Sequence, residues 1–247
     1  MFGFKKKITS LLIRHNIIDK NQLKILSKDP FNKKLQNKIE RQKFFYNAFY
    51  ILKTNGISGD YAEFGCYGGM TFNLAYKEIL RHGNACKLWA FDSFKGLPKP
   101  KGTSDFHPCW NENDMSMSLE EFKKICFENN IPNNKYKIVS GYYSDTLDKK
   151  LWKDKKLDIS LAYIDCDLYS STVDVLEFLA PKLKHGMIIA FDDYFMYTEN
   201  QVSGNRKAMI EYFNTNKQFQ LLPYIQFSHV GQSFIVEDQK NLLLETS

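Results

Sequence analysis

Several things are missing from this chain, and each absence narrows what it can be. No apolar run approaches the roughly 18 residues that would span a bilayer, so no membrane span is expected. No C-x-x-C pair occurs, and the five cysteines (Cys66, Cys86, Cys109, Cys126, Cys166) are odd in number. That argues against a disulfide scaffold or a zinc ribbon and fits a reducing, cytoplasmic setting. "DFHPCW" offers Asp105, His107 and Cys109, but no second ligand pair follows at zinc spacing, so a polar loop is expected there. The basic N-terminus has its apolar part interrupted by Arg14 and His15, and no small-residue cleavage site follows, so no secretion signal is expected. There is neither a G-x-G-x-x-G dinucleotide turn nor an N-P-P-Y base-methylation motif.

What is present points to a folded enzyme-sized domain. Of 247 residues, 43% are hydrophobic and 15% aromatic, enough for a sizeable core. Charge is distributed unevenly. Residues 1–59 carry 13 Lys+Arg against 3 acids, a net of +10, so the remaining chain carries 6 − 10 = −4. A basic arm therefore precedes a mildly acidic body. Nucleic acid, a membrane surface or an anionic small substrate could each attract such an arm, and a solvated lysine-rich helix is the plainer alternative.

Apolar spacing predicts helices over about 5–16 and 33–54, the second carrying Leu35, Ile39, Phe44, Phe45, Ala48, Phe49 and Leu52. From "DYAEFG" onward, short apolar strands alternate with amphipathic helices. The strands are "DYAEFG", "KLWAFD", "YKIVSG", "ISLAYID" and "MIIAFDD". The helices lie in "MTFNLAYKEILRHG", "SLEEFKKICFENN", "STVDVLEFLAPKLKHG" and "GNRKAMIEYFN", and Ser118 with Glu121 makes a capping box. Near-continuous apolar strands joined by helices are the pattern of a parallel sheet covered on both faces. "FQLLPYI" and "QSFIVE" have no helix between them and should close the sheet as an antiparallel edge. The expectation is one α/β, doubly wound, mostly parallel domain over 58–240, with a helical N-terminal extension over 1–57.

Ligands in such sheets bind at the carboxyl ends of the strands, and there the unusual residues collect. Glu63, Gly65, Gly68 and Gly69 form a glycine turn leading into a helix, where backbone can approach a ligand closely. Glu63 disfavours a pyrophosphate and favours a ligand with an amino group. Asp92, ending the second strand, either bridges the vicinal hydroxyls of a ribose or caps a turn. Together these suggest an adenosine cofactor, and S-adenosylmethionine fits best. Asp165 and Asp167 flank the fourth strand tip, and Asp192 and Asp193 end the fifth. Strands lie about 4.8 Å apart, so the carboxylates repel unless a cation joins them. Hard oxygen donors suit Mg²⁺. The alternative is that all four are caps and turn residues, and for Asp167 a turn or cap role is favoured.

"YAEFGCYGG", "AFDSFKGLP", "GYYSDTL", "IDCDLYSSTVDVLEFLAPKL" and "GMIIAFDDY" together resemble the macrocin O-methyltransferase family, in unbroken order over about 58–215. The resemblance implies a class I, Rossmann-like methyltransferase fold and S-adenosylmethionine- and Mg²⁺-dependent methylation of a sugar hydroxyl. It implies that Glu63, Phe64, Gly65, Cys66, Tyr67 and Gly69, with Asp92 and Ser93, hold the cofactor, and that Ser116, Gly141, Tyr142 and Asp145 lie toward its adenine. It also implies that Asp165, Asp192 and Asp193 hold the metal. The family often has Trp-Arg before the paired glycines, where this chain has Cys66-Tyr67.

In this reading Asp165 also accepts the proton of the acceptor hydroxyl, and Tyr169, Tyr194 and His229 are candidate acceptor contacts. The long loop at about 95–117 is a candidate lid. A nucleotide-linked sugar or a glycoside, from surface-polysaccharide or natural-product biosynthesis, is the expected acceptor. Lys33, Lys34, Lys38 or Arg41 would then meet a diphosphate. A catechol-type phenolic methyltransferase is the alternative. An RNA-binding methyltransferase is disfavoured because an acidic mouth repels phosphates, so no nucleic-acid partner is expected. An exposed N-terminal helix pair would allow a homodimer.

Overall fold

The computed structural model describes residues 32–152 and 156–242, together with Asn21, Lys24, Ile25 and Lys28. The helix expected over 5–16 lies outside the described residues. Seven strands form one sheet: β1 (Asp60–Phe64), β2 (Leu88–Asp92), β3 (Tyr136–Ser140), β4 (Ile159–Ile164), β5 (Ile188–Phe191), β6 (Phe219–Phe227) and β7 (Gly231–Asp238). Their order is β3-β2-β1-β4-β5-β7-β6. The first five are parallel, and β7 runs antiparallel between β5 and β6. The expected antiparallel edge is therefore a hairpin whose second strand inserts next to β5.

Five longer helices cover the sheet: α1 (Lys33–Thr54), α2 (Met70–His82), α3 (Leu119–Glu128), α4 (Tyr169–Leu179) and α5 (Gly204–Thr215). Alternation along the strands sorts the two cores. Tyr61, Leu161, Tyr163 and Ile188 pack with α1, α2 and α3 on one face. Ala62, Phe64, Ala162, Ile164 and Ile189 pack with α4 and α5 on the other. Phe44, Phe45 and Phe49 of α1 are almost completely buried, and the Phe45 ring meets those of Phe44, Phe49, Tyr61 and Tyr163. Fully burying one such side chain contributes about 1.5–3 kcal/mol. Residues 33–54 thus share the core of the sheet domain, even though their lysines read as a solvated arm.

The Ser118–Glu121 capping box is present at the start of α3. Helix α2 ends at Gly83, whose φ of 65° suits the left-handed cap position. The helix expected to run on to Gly186 stops at Leu179, because Pro181 turns the chain into a 3-10 turn over Ala180–Lys182. Two single helical turns, Tyr143–Thr146 and Lys149–Trp152, had no clear periodic signal. Among the described residues no helix is long and apolar enough to cross a membrane.

Candidate active site

The strand order reverses between β1 and β4, the neighbours on either side of the switch point. The tip of β1 is laced to both neighbours: Asp165 N–H, beyond β4, donates to Phe64 C=O (2.8 Å), and Gly65 N–H donates to Phe91 C=O of β2 (2.9 Å). Gly65 has φ 96°, and a Cβ there would lie 1.7 Å from the Asp165 carbonyl oxygen, so only glycine fits. Gly68 and Gly69 also take positive φ as the chain turns into α2. Beside this turn lies a cavity whose wall includes Gly65, Tyr67, Asp92, Ser93, Tyr142 and Asp165. Asp92 is fixed by two backbone amides, accepting from Cys66 N–H (2.6 Å) and Phe94 N–H (2.7 Å). Each carboxylate oxygen keeps a second lone pair for a ligand hydroxyl.

On one side of the cavity, Asp165, Asp192 and Asp193 converge. One oxygen from each lies within 4.8 Å of the other two. Burial first, then the charges of Asp192 and Asp193, push the Asp165 carboxyl well above the usual carboxylate range. Burial and the Asp167 and Asp192 charges do the same for Asp193. Asp193 Oδ2 is buried without a hydrogen-bond partner. Converging oxygens, mutual repulsion and an orphaned buried oxygen are what a site for a hard divalent cation requires, so the residues fit Mg²⁺. Asp167, expected in a turn or cap role, is itself buried at φ 58° and its carboxyl is pushed up to about 8, first by burial and then by the Asp165 charge.

Arg41 of α1 reaches into this cluster. Its Nε donates to Asp192 Oδ1 (2.9 Å) and its NH2 to Asp192 Oδ2 (2.6 Å), while the Tyr163 hydroxyl also donates to Asp192. Arg41, one of the four basic residues offered for a substrate diphosphate, is buried against a carboxylate. In a lysine-rich segment nothing in the sequence distinguishes it from its solvated neighbours. Lys33 and Lys34 are exposed and Lys38 is half-buried.

The other sequence-derived residues divide. Gly65, Tyr67, Asp92, Ser93, Gly141, Tyr142 and Asp165 line the cavity, whereas Glu63, Phe64, Cys66, Gly69, Ser116 and Asp145 do not. Glu63 lies beneath the turn, fully buried, accepting from Thr71 Oγ1 (2.6 Å) and from the Tyr61 hydroxyl. Burial, opposed by those two hydrogen bonds, raises its carboxyl to about 8. Phe64 faces the opposite core and stacks on Phe91, and Cys66 contributes its amide to Asp92 rather than a side chain to the cavity. Gly69 is buried against Ile125, where a Cβ would meet it at 2.9 Å. Ser116 and Asp145 are exposed, and their neighbours Met115 and Ser144 line the cavity instead. Tyr169 donates to Glu211 (2.6 Å), and Tyr194 packs against Phe234 with Arg206 over its ring. His229 is exposed in the β6–β7 turn.

The loop between β2 and α3 contributes Gly96, Leu97, Pro98, Lys101 and Met115 to the cavity. It is anchored. Leu97 and Trp110 form a small cluster with Leu168. Asp105, completely buried, accepts from Ser170 N–H (2.7 Å), Ser170 Oγ (2.8 Å) and Lys101 N–H (2.7 Å). Leu168 at the start of α4 provides no side-chain cap, so Asp105 serves the first turn of that helix from the loop. In "DFHPCW", then, the aspartate is committed to α4.

A curated relative from Streptomyces olivaceus, 8-demethyl-8-(2,3-dimethoxy-alpha-L-rhamnosyl)-tetracenomycin-C 4'-O-methyltransferase, is 28% identical over 158 residues. That match covers 60% of this chain and 59% of the relative, so the chain spans somewhat over half the relative's length. Among solved structures, the O-methyltransferase NovP superposes with a TM-score of 0.67 at 21% identity, covering 83% of this chain and 88% of that one. CalS11, a TDP-rhamnose 3'-O-methyltransferase, gives 0.58 at 20% identity, covering 93% and 92%. These likenesses establish the Rossmann-like class I methyltransferase fold. The profile of the Macrocin-O-methyltransferase (TylF) family matches residues 37–225, which takes in most of α1 with Arg41, the glycine turn and both acidic strand tips. The chain belongs to the macrocin-O-methyltransferase family.

Proposed function

We propose that this protein is an S-adenosylmethionine- and Mg²⁺-dependent O-methyltransferase that acts on a sugar hydroxyl. The observation carrying this reading is the double membership of Asp165, which lines the cavity beside the glycine turn and also belongs to the three-carboxylate cluster. A donor in the cavity and an acceptor at the cluster would therefore share one boundary. The relatives' names support a sugar acceptor: one is named for methylating a rhamnosyl-tetracenomycin and another is named a TDP-rhamnose 3'-O-methyltransferase. A glycoside or nucleotide-linked sugar is the corresponding acceptor here.

In this reading Asp92 receives ribose hydroxyls, held ready by the Cys66 and Phe94 amides. Gly65 lets the backbone approach the donor without a side chain intervening. S-adenosylmethionine supplies an electrophilic methyl group, and a bound divalent ion supplies Lewis acidity toward the acceptor hydroxyl. Asp165 takes the hydroxyl proton. The anchored loop over the cavity excludes water. Orienting two reactants in this way supplies on the order of 7–11 kcal/mol of a barrier. The alternating tips of β4 and β5 thus do the positioning, and the loop does the enclosing.

The test is cofactor turnover measured against a panel of TDP-sugars and rhamnosyl glycosides, with catechol as comparator, with and without EDTA. Methylation of a sugar acceptor that falls at least about tenfold with EDTA and returns with Mg²⁺ is expected. Chelator-insensitive turnover that also survives Asp192→Ala would refute the metal, and turnover of catechol alone would refute the sugar.

A further inference from the structure

We propose that Arg41 is a positioning residue of the carboxylate cluster: it locks the Asp192 carboxylate with its planar fork and makes the cluster one charge less negative, biasing it toward divalent over trivalent cations. This inference rests on the reading of Asp165, Asp192 and Asp193 as a cation site.

The geometry is that of a built device. Arg41 stands on α1, 151 residues from Asp192 in sequence, and is 8% exposed. It makes two parallel hydrogen bonds to the two oxygens of one carboxylate, the arrangement that fixes a carboxylate plane most strongly. Tyr163 closes a third side by donating to the same carboxylate and lies 3.3 Å from Arg41 Nε. Arg41 and Tyr163 leave the remaining lone pairs of Asp192 as the ones available to an ion. The helix carrying Arg41 is itself immobilised, because Phe44 and Phe45, three and four residues along, are completely buried. Aromatic packing thereby sets where the guanidinium sits, and the guanidinium sets where one ligand oxygen points. Such a residue touches neither donor nor acceptor, yet it acts on the site through Asp192.

Fork and charge make separable predictions. Lysine at 41 keeps the positive charge but offers a point donor in place of a fork. Methionine keeps much of the length and removes the charge, adding one negative unit to whatever charge the cluster carries. The experiment titrates Mg²⁺ and Tb³⁺ separately into the wild-type protein, Arg41→Lys and Arg41→Met by calorimetry at one pH and ionic strength. In Arg41→Met the Tb³⁺/Mg²⁺ affinity ratio should rise at least about tenfold, since added negative charge rewards the higher-valent ion more. In Arg41→Lys the ratio should stay within about threefold of wild type while both affinities fall at least about fivefold. An unchanged ratio in Arg41→Met overturns the charge role, and wild-type affinities in Arg41→Lys overturn the fork. Removing one partner of a buried pair is costly. Should Arg41→Met not fold, Arg41→Gln takes its place for the charge, an unchanged ratio there overturning that role, while Arg41→Lys decides the fork, since wild-type affinities overturn it and a matched loss for both ions sustains it. If the wild-type protein binds neither ion, the cation-site reading falls and this inference with it; binding that is insensitive to both variants defeats this inference alone.

Discussion

Replacing Glu63 with glutamine should change how the stability of this protein depends on pH. Glu63 is completely buried beneath the glycine turn, with hydrogen bonds from Thr71 and Tyr61 as its polar compensation. Its carboxyl rises from 4.5 to about 8, with burial as the largest cause. A carboxyl that is harder to ionise in the folded state binds more protons there than in the unfolded chain. Its contribution to stability is therefore complete below about pH 4.5 and disappears as pH rises through about 8. At about 1.4 kcal/mol per pH unit, the full span is about 5 kcal/mol. Glutamine has nearly the same shape, keeps an oxygen for Thr71 and can donate to the Tyr61 hydroxyl, which also accepts. It carries no titration, so the difference between the two proteins isolates this residue from the other buried acids. For a chain of this size each kcal/mol moves the midpoint by about 2–4 °C. Relative to wild type, Glu63→Gln should gain about 10 °C between pH 5 and pH 8.5. Thermal unfolding followed by circular dichroism at constant ionic strength reads this directly. A difference curve flat to within about 2 °C across that range would show that Glu63 ionises normally, and the argument from its burial would be wrong.

Three further outcomes follow from the same structure. Phe45→Ala should cost about 3–5 kcal/mol by chemical denaturation, because the ring is fully enclosed by four others; a cost below about 1 kcal/mol would mean that α1 is peripheral. Gly65→Ala should either fail to fold or lose at least about 3 kcal/mol, since its Cβ meets the Asp165 carbonyl at 1.7 Å; near-wild-type melting would contradict that close approach. Asp92→Asn should weaken S-adenosylhomocysteine binding at least about tenfold by calorimetry and lower stability by about 1–3 kcal/mol, because an amide cannot accept from both backbone N–H groups and bridge two hydroxyls; undiminished affinity would remove Asp92 from the cofactor site.

The strands were legible because parallel strands covered on both faces have little choice but to be apolar, and "ISLAYI" is buried at all six positions. The three converging aspartates were legible for a related reason, since charge at the end of a buried strand has few explanations. Sequence could not reveal Arg41. Its meaning depends on a partner 151 residues away, and local spacing carries no such information. Glu63 illustrates the same limit in another form. Its place before the glycines marked it as a ligand contact, but strand alternation turns it with Tyr61 toward the α1–α2 face, beneath the cavity rather than into it. The role of Asp105 was hidden too, because the start of α4 takes its cap from another segment.

That borrowed cap bears on how molecules get in and out. Swinging the whole β2–α3 connection aside would tear three hydrogen bonds from an enclosed carboxylate and leave the first turn of α4 frayed. The cheaper route leaves the hinge pin at Asp105 in place and lets only the stretches on either side of it flex. The segments around Gly96 and Met115 are tied to each other, Leu97 N–H donating to Asp114 C=O and Asn113 N–H to Leu97 C=O (2.9 Å each), so traffic through this doorway depends on their moving together while the post stays planted.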